Sequence, residues 1–295
     1  MRKYRSAYVF PACAVVALSL GATALAQNSR SYVSQSGSDS NSCTLTSTCR
    51  GIARAMQVTN DGGEIILLDS GSYGAPFTIT KSIIINAAGI VASMTTQAAG
   101  ASHITVNTTE NVTLIGLTLH GIGHGANGIL VQQVGVLRLY NIFADGYTND
   151  GVDFTATGNL AIYNSEFNDN TANGLAVTNG SAYVQNTGFD HNNDGVFVGG
   201  GNVTVANSWS HYNLNGFESS GGNLVLTDSY AILNSTGLLT SSAGGSIDFV
   251  RCVVAENSTY AFNRFSGSTL SGSNPGTSVI LGNTNGSLGG ANGLN

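Results

Sequence analysis

The stretch GVDFTATGNLAIYNSEFNDNTANG, residues 151–174, decides the fold. Its first glycine follows an Asp, opens the alternating run Val152-Asp153-Phe154, and is answered by Asn173-Gly174. Working outward, the same pair stands at Asn127-Gly128, Asp194-Gly195 and Asn215-Gly216, and Thr236-Gly237 keeps the step. Successive intervals are 23, 23, 21, 21 and 21 residues. A fixed period of this length marks a solenoid whose units are single supersecondary elements. Each unit holds a second alternating run, at 137–140, 160–163, 182–185, 203–206, 224–227 and 247–250. Alternation over four or five residues, bounded by Gly and Asn, is a strand pattern and not a helix pattern. Period two puts Leu160 and Ile162 on one face with Leu137, Leu139, Ala182, Val184, Val203 and Val205. Arg138, Ala161, Tyr183, Thr204, Val225 and Asp248 face the other way. One unit cannot bury its own apolar face, so the units must stack, each strand parallel to its equivalent about 4.8 Å away.

Stacking turns recurring residues into columns. Asn141, Asn164, Asn186, Asn207 and Asp228 follow the second strand, and Asn170, Asn192, Asn213, Asn234 and Asn257 form another column after them. Between the two lie Phe167 and Phe189, expected to point inward. Superimposed amides can bond from turn to turn, and Asn and Gly accept the left-handed backbone that tight corners use. Such columns account for much of the 31 Asn and 39 Gly among 295 residues. The 3 Pro agree, because a paired strand cannot spare its N–H.

The pattern Leu160-x-Ile162-x-Asn164-Ser165-x-Phe167-x-x-Asn170-x-x-Asn173-Gly174 resembles the right-handed parallel β-helix repeat of pectate lyases, polygalacturonases, alginate epimerases and many exported bacterial proteins. The entry segment is similar too, with an amphipathic stretch at 50–58 ahead of Gly62-Gly63-Glu64-Ile65-Ile66. The resemblance implies an all-β, right-handed parallel β-helix solenoid over 27–265, with a short N-terminal helix capping the core. Residues 266–295, rich in Gly, Ser and Asn, are read as a tail with one possible last strand at 278–281. A fold of this kind hosts lyases, hydrolases, epimerases and adhesins, so it does not select a chemistry.

Residues 1–26 read as a signal peptide: Arg2, Lys3 and Arg5, an apolar run at 9–20 too short to span a membrane, then Ala24-Leu25-Ala26. A secreted or periplasmic chain with no membrane span follows. Removing the leader takes three of the 10 basic and none of the 16 acidic residues, leaving a formal charge of −9. That charge argues against a nucleic-acid partner. Charged residues make up 9%, too few for a coiled coil or a charge-rich disordered chain. In an oxidising compartment Cys43 and Cys49 are expected to form a disulfide, leaving Cys252 as a buried thiol.

Three constellations bear on chemistry. The first is the column His120, Asp145, Asn168, Asp190, His211, with Asp169 and His191 one position on and Glu166 and Trp209 two positions earlier. Asp190 and His211, with Glu166, are the candidate acid–base residues. Trp209 and Tyr230, with Asp169 and His191, are the candidate saccharide contacts, because an aromatic face suits the apolar face of a sugar ring. Against this stands the plain reading of a polar corner facing water. The second is Asn149-Asp150-Gly151-Val152-Asp153, which resembles the Asn-Thr-Asp-Gly-Ile-Asp motif of polygalacturonases. The family's later Asp-Asp and Arg-Ile-Lys are missing, and Gly123-His124-Gly125 precedes the motif instead of following it. The third is lyase chemistry, which needs a base and a cation, Ca²⁺ or Arg, to neutralise a uronate. The chain after residue 26 has one Lys and six Arg. No metal-ligand spacing stands out, so no cofactor is expected, Ca²⁺ being the one ion that lyase chemistry would bring. The expected function is binding of a glycan or another cell-surface partner by a monomer, the alternative a polysaccharide-active enzyme.

Overall fold

The computed structural model describes residues 27–74, 76–95, 99–272 and 278–284. The expected leader lies outside them, as does the end of the expected tail. The chain winds into about nine turns of a right-handed parallel β-solenoid. Each turn lays down three strands, represented by Asn159–Tyr163, Glu166–Asn168 and Asn173–Val177. These belong, in that order, to a first sheet of eleven strands, a second of ten and a third of nine. All sheet pairings are parallel, and register follows the sequence period. Leu160 lies on Leu137 and under Ala182, and Ile162 lies between Leu139 and Val184.

The core is the inside of this coil. First-sheet Leu139, Ile162, Val184 and Val205 meet second-sheet Phe167 and Phe189 and third-sheet Phe154, Val177 and Val198, all fully buried. The rings of Phe167 and Phe189 stack at 5.8 Å. The expected capping helix forms at Ile52–Val58 and turns Ile52, Ala55 and Val58 onto the open end of the core. Lys81 closes its C-terminus, donating from Nζ to the carbonyls of Met56 and Thr59. Cys43 and Cys49 are joined as a disulfide, and Cys252 is a buried free thiol.

The sequence pattern shows two strands per unit, whereas the structure has three. The additional strand, Glu166–Asn168 and its equivalents, is three residues long, so alternation leaves only one inward position. Left-handed residues bound it on both sides. On one side Asn141, Asn164, Asn186, Asn207 and Asp228 have φ of +49° to +53°. On the other the left-handed residue is not Asn but its predecessor: Asp169, His191, Tyr212, Leu233 and Glu256 have φ of +54° to +61°. The following Asn is therefore free to turn inward. Asn192 Oδ1 accepts from the N–H and the Nδ2 of Asn170, and Asn213 Oδ1 does the same for Asn192. Each Nδ2 also donates to a core carbonyl, Asn192 to Phe167 and Asn213 to Phe189. The ladder runs on through Asn234, Asn257 and Asn283. Its other end is closed by the N–H of Tyr147, whose hydroxyl meets Nδ1 of buried His103.

The recurring glycines have a different cause from the one the corners suggested. Gly151 and Gly174 do not have positive φ. Space is what they supply: a Cβ on Gly174 would lie 2.7 Å from the Phe189 ring and 2.7 Å from the Gly195 carbonyl. The core aromatics press against the third strand there, and only a missing side chain admits them.

Candidate functional site

The second sheet carries the sequence-selected residues on its outer face. His120, Asp145, Asn168, Asp190 and His211 form one registered column over five turns. Within it His120 Nδ1 meets Asp145 Oδ1 at 2.6 Å, and His211 Nδ1 meets Asp190 Oδ1 at 3.5 Å. The same Asp190 oxygen accepts the backbone N–H of His211 at 3.1 Å. Burial raises the Asp190 carboxyl above its ordinary value, and His211 opposes that rise. Trp209 stands in the neighbouring column, on Gly188 and under Tyr230. Its indole lies across Gly188, where a Cβ would come within 2.6 Å of the ring. Gly188 thus makes room for the indole. His191 and Tyr212 are stacked at 5.0 Å on the left-handed corner beyond.

Not all the candidates come together. Glu166 registers with Gly188, two turns before Trp209, and no hydrogen bond or ion pair joins it to Asp190 or His211. Asp169 lies on the corner one turn before His191 and takes no part in the ring stack. A concave feature of this face lies further along the coil. A hollow of about 490 Å³ is lined by Asn207, Trp209, Asp228, Tyr230 and Arg251. Arg251 grips Asp228 with two bonds of 2.6 Å, Nε to Oδ1 and Nη2 to Oδ2. That grip, with Arg251's charge, holds the Asp228 carboxyl below its ordinary value.

Sequence reasoning missed Asp228 and Arg251 as site residues because it read Asp228 as one more step of the corner column. The break in that column was the available signal: Asn141, Asn164, Asn186 and Asn207 give way to Asp228 and then Arg251 at the same left-handed position. The aromatic residues of the first sheet are a different arrangement. Tyr140 and Tyr163 stack face to face at 5.1 Å, so the faces a sugar would need are turned on each other.

A second feature escaped the sequence altogether. On the third sheet Asp194 and Glu218 lie in adjacent turns, both less than a tenth exposed. One amide serves both: Asn215 Nδ2 donates to Asp194 Oδ1 at 2.7 Å and to Glu218 Oε2 at 3.2 Å. Ser241 donates to the other Glu218 oxygen at 2.5 Å. Burial, and then the charge of Glu218, push Asp194 up to about 7. Burial and Asp150 likewise push Asp153 up to about 6. Glu218 shares its column with Asp153, three turns off, whereas Asp194 sits in another column, with Asn173. The Asp194–Glu218 pair is closed to a bulky substrate by its burial.

Among the described residues no three His, Cys, Asp or Glu side chains converge as metal ligands. No helix among them is long and apolar enough to cross a membrane.

The family model for a right handed beta helix region matches residues 102–287. The chain belongs to that family. Comparison of the sequence with curated proteins finds no significant match. Among solved structures, this right-handed β-helix protein is similar to pectate lyase Pel9A, with a TM-score of 0.60 and 18% identity over 88% of this chain and 78% of that one. It is similar to a rhamnogalacturonan lyase, with a TM-score of 0.57 and 14% identity over 90% and 89%. It also resembles the alginate lyase from Paenibacillus sp. str. FPU-7, with a TM-score of 0.58 and 13% identity over 86% and 98%. At such identities these likenesses are likenesses of fold.

Proposed function

We propose that the protein binds polysaccharide on the outer face of its second sheet, with the hollow at Trp209 and Tyr230 as a saccharide subsite. The observation that carries this reading is the placement of Trp209 and Tyr230 in register on successive turns, beside an exposed ion pair in one hollow. An aromatic ring takes the apolar face of a pyranose, while the flanking polar groups take its hydroxyls. The names of the structural neighbours, lyases of pectate, rhamnogalacturonan and alginate, support a polysaccharide as the substrate class. The setting we propose is secreted or periplasmic, and the protein monomeric. The Cys43–Cys49 disulfide supports an oxidising compartment, since such bonds persist outside the cytosol.

The second reading is an enzyme using Asp190 and His211 as an acid–base pair, favoured by their contact and by the raised Asp190. The same preparation separates the two. On a glycan array, binding of one polysaccharide class is expected, and Trp209→Ala should weaken it about tenfold or more, the loss of one stacking contact. Reducing-sugar and unsaturated-product assays should stay blank. Turnover abolished by His211→Ala, with binding indifferent to Trp209→Ala, would establish the enzyme instead.

A further inference from the structure

The hollow also carries information about charge. We infer that its ligand is a neutral saccharide, built of hexose or pentose units without carboxylates, and not a polyuronate. This inference rests on the proposed glycan subsite and adds the substrate class.

Among the described residues Arg251 is the only basic side chain lining the hollow. It is already chelated by both oxygens of Asp228, each at 2.6 Å, so a uronate carboxylate would have to displace a carboxylate held in place by the fold. The surroundings do not favour that exchange. Asp190 lies on the same strand pair as Trp209, and the chain after residue 26 carries seven basic residues against 16 acidic. A second anion brought to a neutral pair on an acidic protein gains no steering and meets repulsion.

The same pair suits hydroxyls well. Its partners are about half and more than a third exposed, 55% and 38%, so N–H donors and carboxylate lone pairs face solvent side by side. A sugar hydroxyl is donor and acceptor at once and can use both without breaking the ion pair. The Asn207 side chain adds an amide of the same mixed character at the rim. Trp209 and Tyr230 supply apolar area and no charge.

The test is calorimetric titration at low salt with neutral oligosaccharides (cello-, xylo-, manno- and galacto-hexaoses) and uronic ones (galacturonate, mannuronate and guluronate hexamers). One neutral series is expected to bind at least tenfold tighter than every uronic one, with little salt dependence. Asp228→Asn should then free Arg251, raising uronate affinity severalfold and making it fall with added salt. This variant keeps the left-handed corner, because Asn207 already holds that conformation one turn earlier. A wild-type preference for uronates, or equal affinity for the two classes, overturns the inference while leaving the glycan subsite standing. Binding of neither class overturns the subsite and this inference together.

Discussion

Asp194→Asn is expected to stabilise the protein by up to about 4 kcal/mol at pH 8 and by far less near pH 3.5. The sign follows from a carboxyl whose folded value, about 7, stands above its ordinary 3.8. Below pH 4 both folded and unfolded chains keep the proton, and no penalty exists. As pH rises from 4 to 7 the unfolded chain releases it while the folded chain holds it, so stability falls. Above 7 the folded protein must keep two neighbouring carboxylates ionised out of contact with water. Asparagine keeps the acceptor for Asn215 Nδ2 without any charge. Urea denaturation of wild type and variant across pH 3.5–8 measures this directly. The account requires the gap between them to widen with pH; a constant gap, or a less stable variant at pH 8, contradicts it.

Asn213→Ala should act in the opposite direction and cost about 3–5 kcal/mol. The side chain is buried and uses both ends of its amide. Its oxygen takes the Asn192 N–H at 2.7 Å, and its nitrogen reaches the Phe189 carbonyl and Ser210 Oγ, each at 2.8 Å. Alanine leaves a buried donor and a buried acceptor with no water to turn to, each worth about 1–3 kcal/mol. The loss should be local at first, since a solenoid's stability is a sum over neighbouring turns. Hydrogen exchange is expected to show it between residues 185 and 240 before the ends. The outer column provides the control. The Asn186 side chain donates to Asn164 Oδ1 at 3.2 Å and the residue is left-handed, so Asn186→Gly keeps its conformation and should cost less than about 1 kcal/mol. Equal losses from the two substitutions would mean that the inner ladder is not what ties the turns together.

These two residues also show how far the sequence could be read. Asn213 was legible as a ladder residue from its period alone, as were the inward Leu160 and Ile162. Such features repeat, and repetition exposes them. The three-residue second strand was not legible, because a single inward Phe167 between two corners leaves no alternation to see. Nor was the true reason for Gly174, which is an approach between turns and not a local torsion. Asp194 and Glu218 were missed for a related cause. They meet between columns, three strand positions apart on adjacent turns, and a column-by-column reading pairs only equivalent positions. The site stands between these cases. Trp209 and Tyr230 were visible as outward aromatics, whereas Asp228 and Arg251 were concealed in a column whose other members are scaffolding.

The central claim is that the hollow at Trp209 and Tyr230 is where sugar binds, and a crystal structure with a bound oligosaccharide tests it most directly. The account predicts a pyranose ring within about 4 Å of the Trp209 and Tyr230 rings, with hydroxyls on Asp228 and Arg251. A sugar seated instead along the Asp190–His211 column or on the first-sheet tyrosines Tyr140 and Tyr163, with this hollow left to solvent, would contradict it.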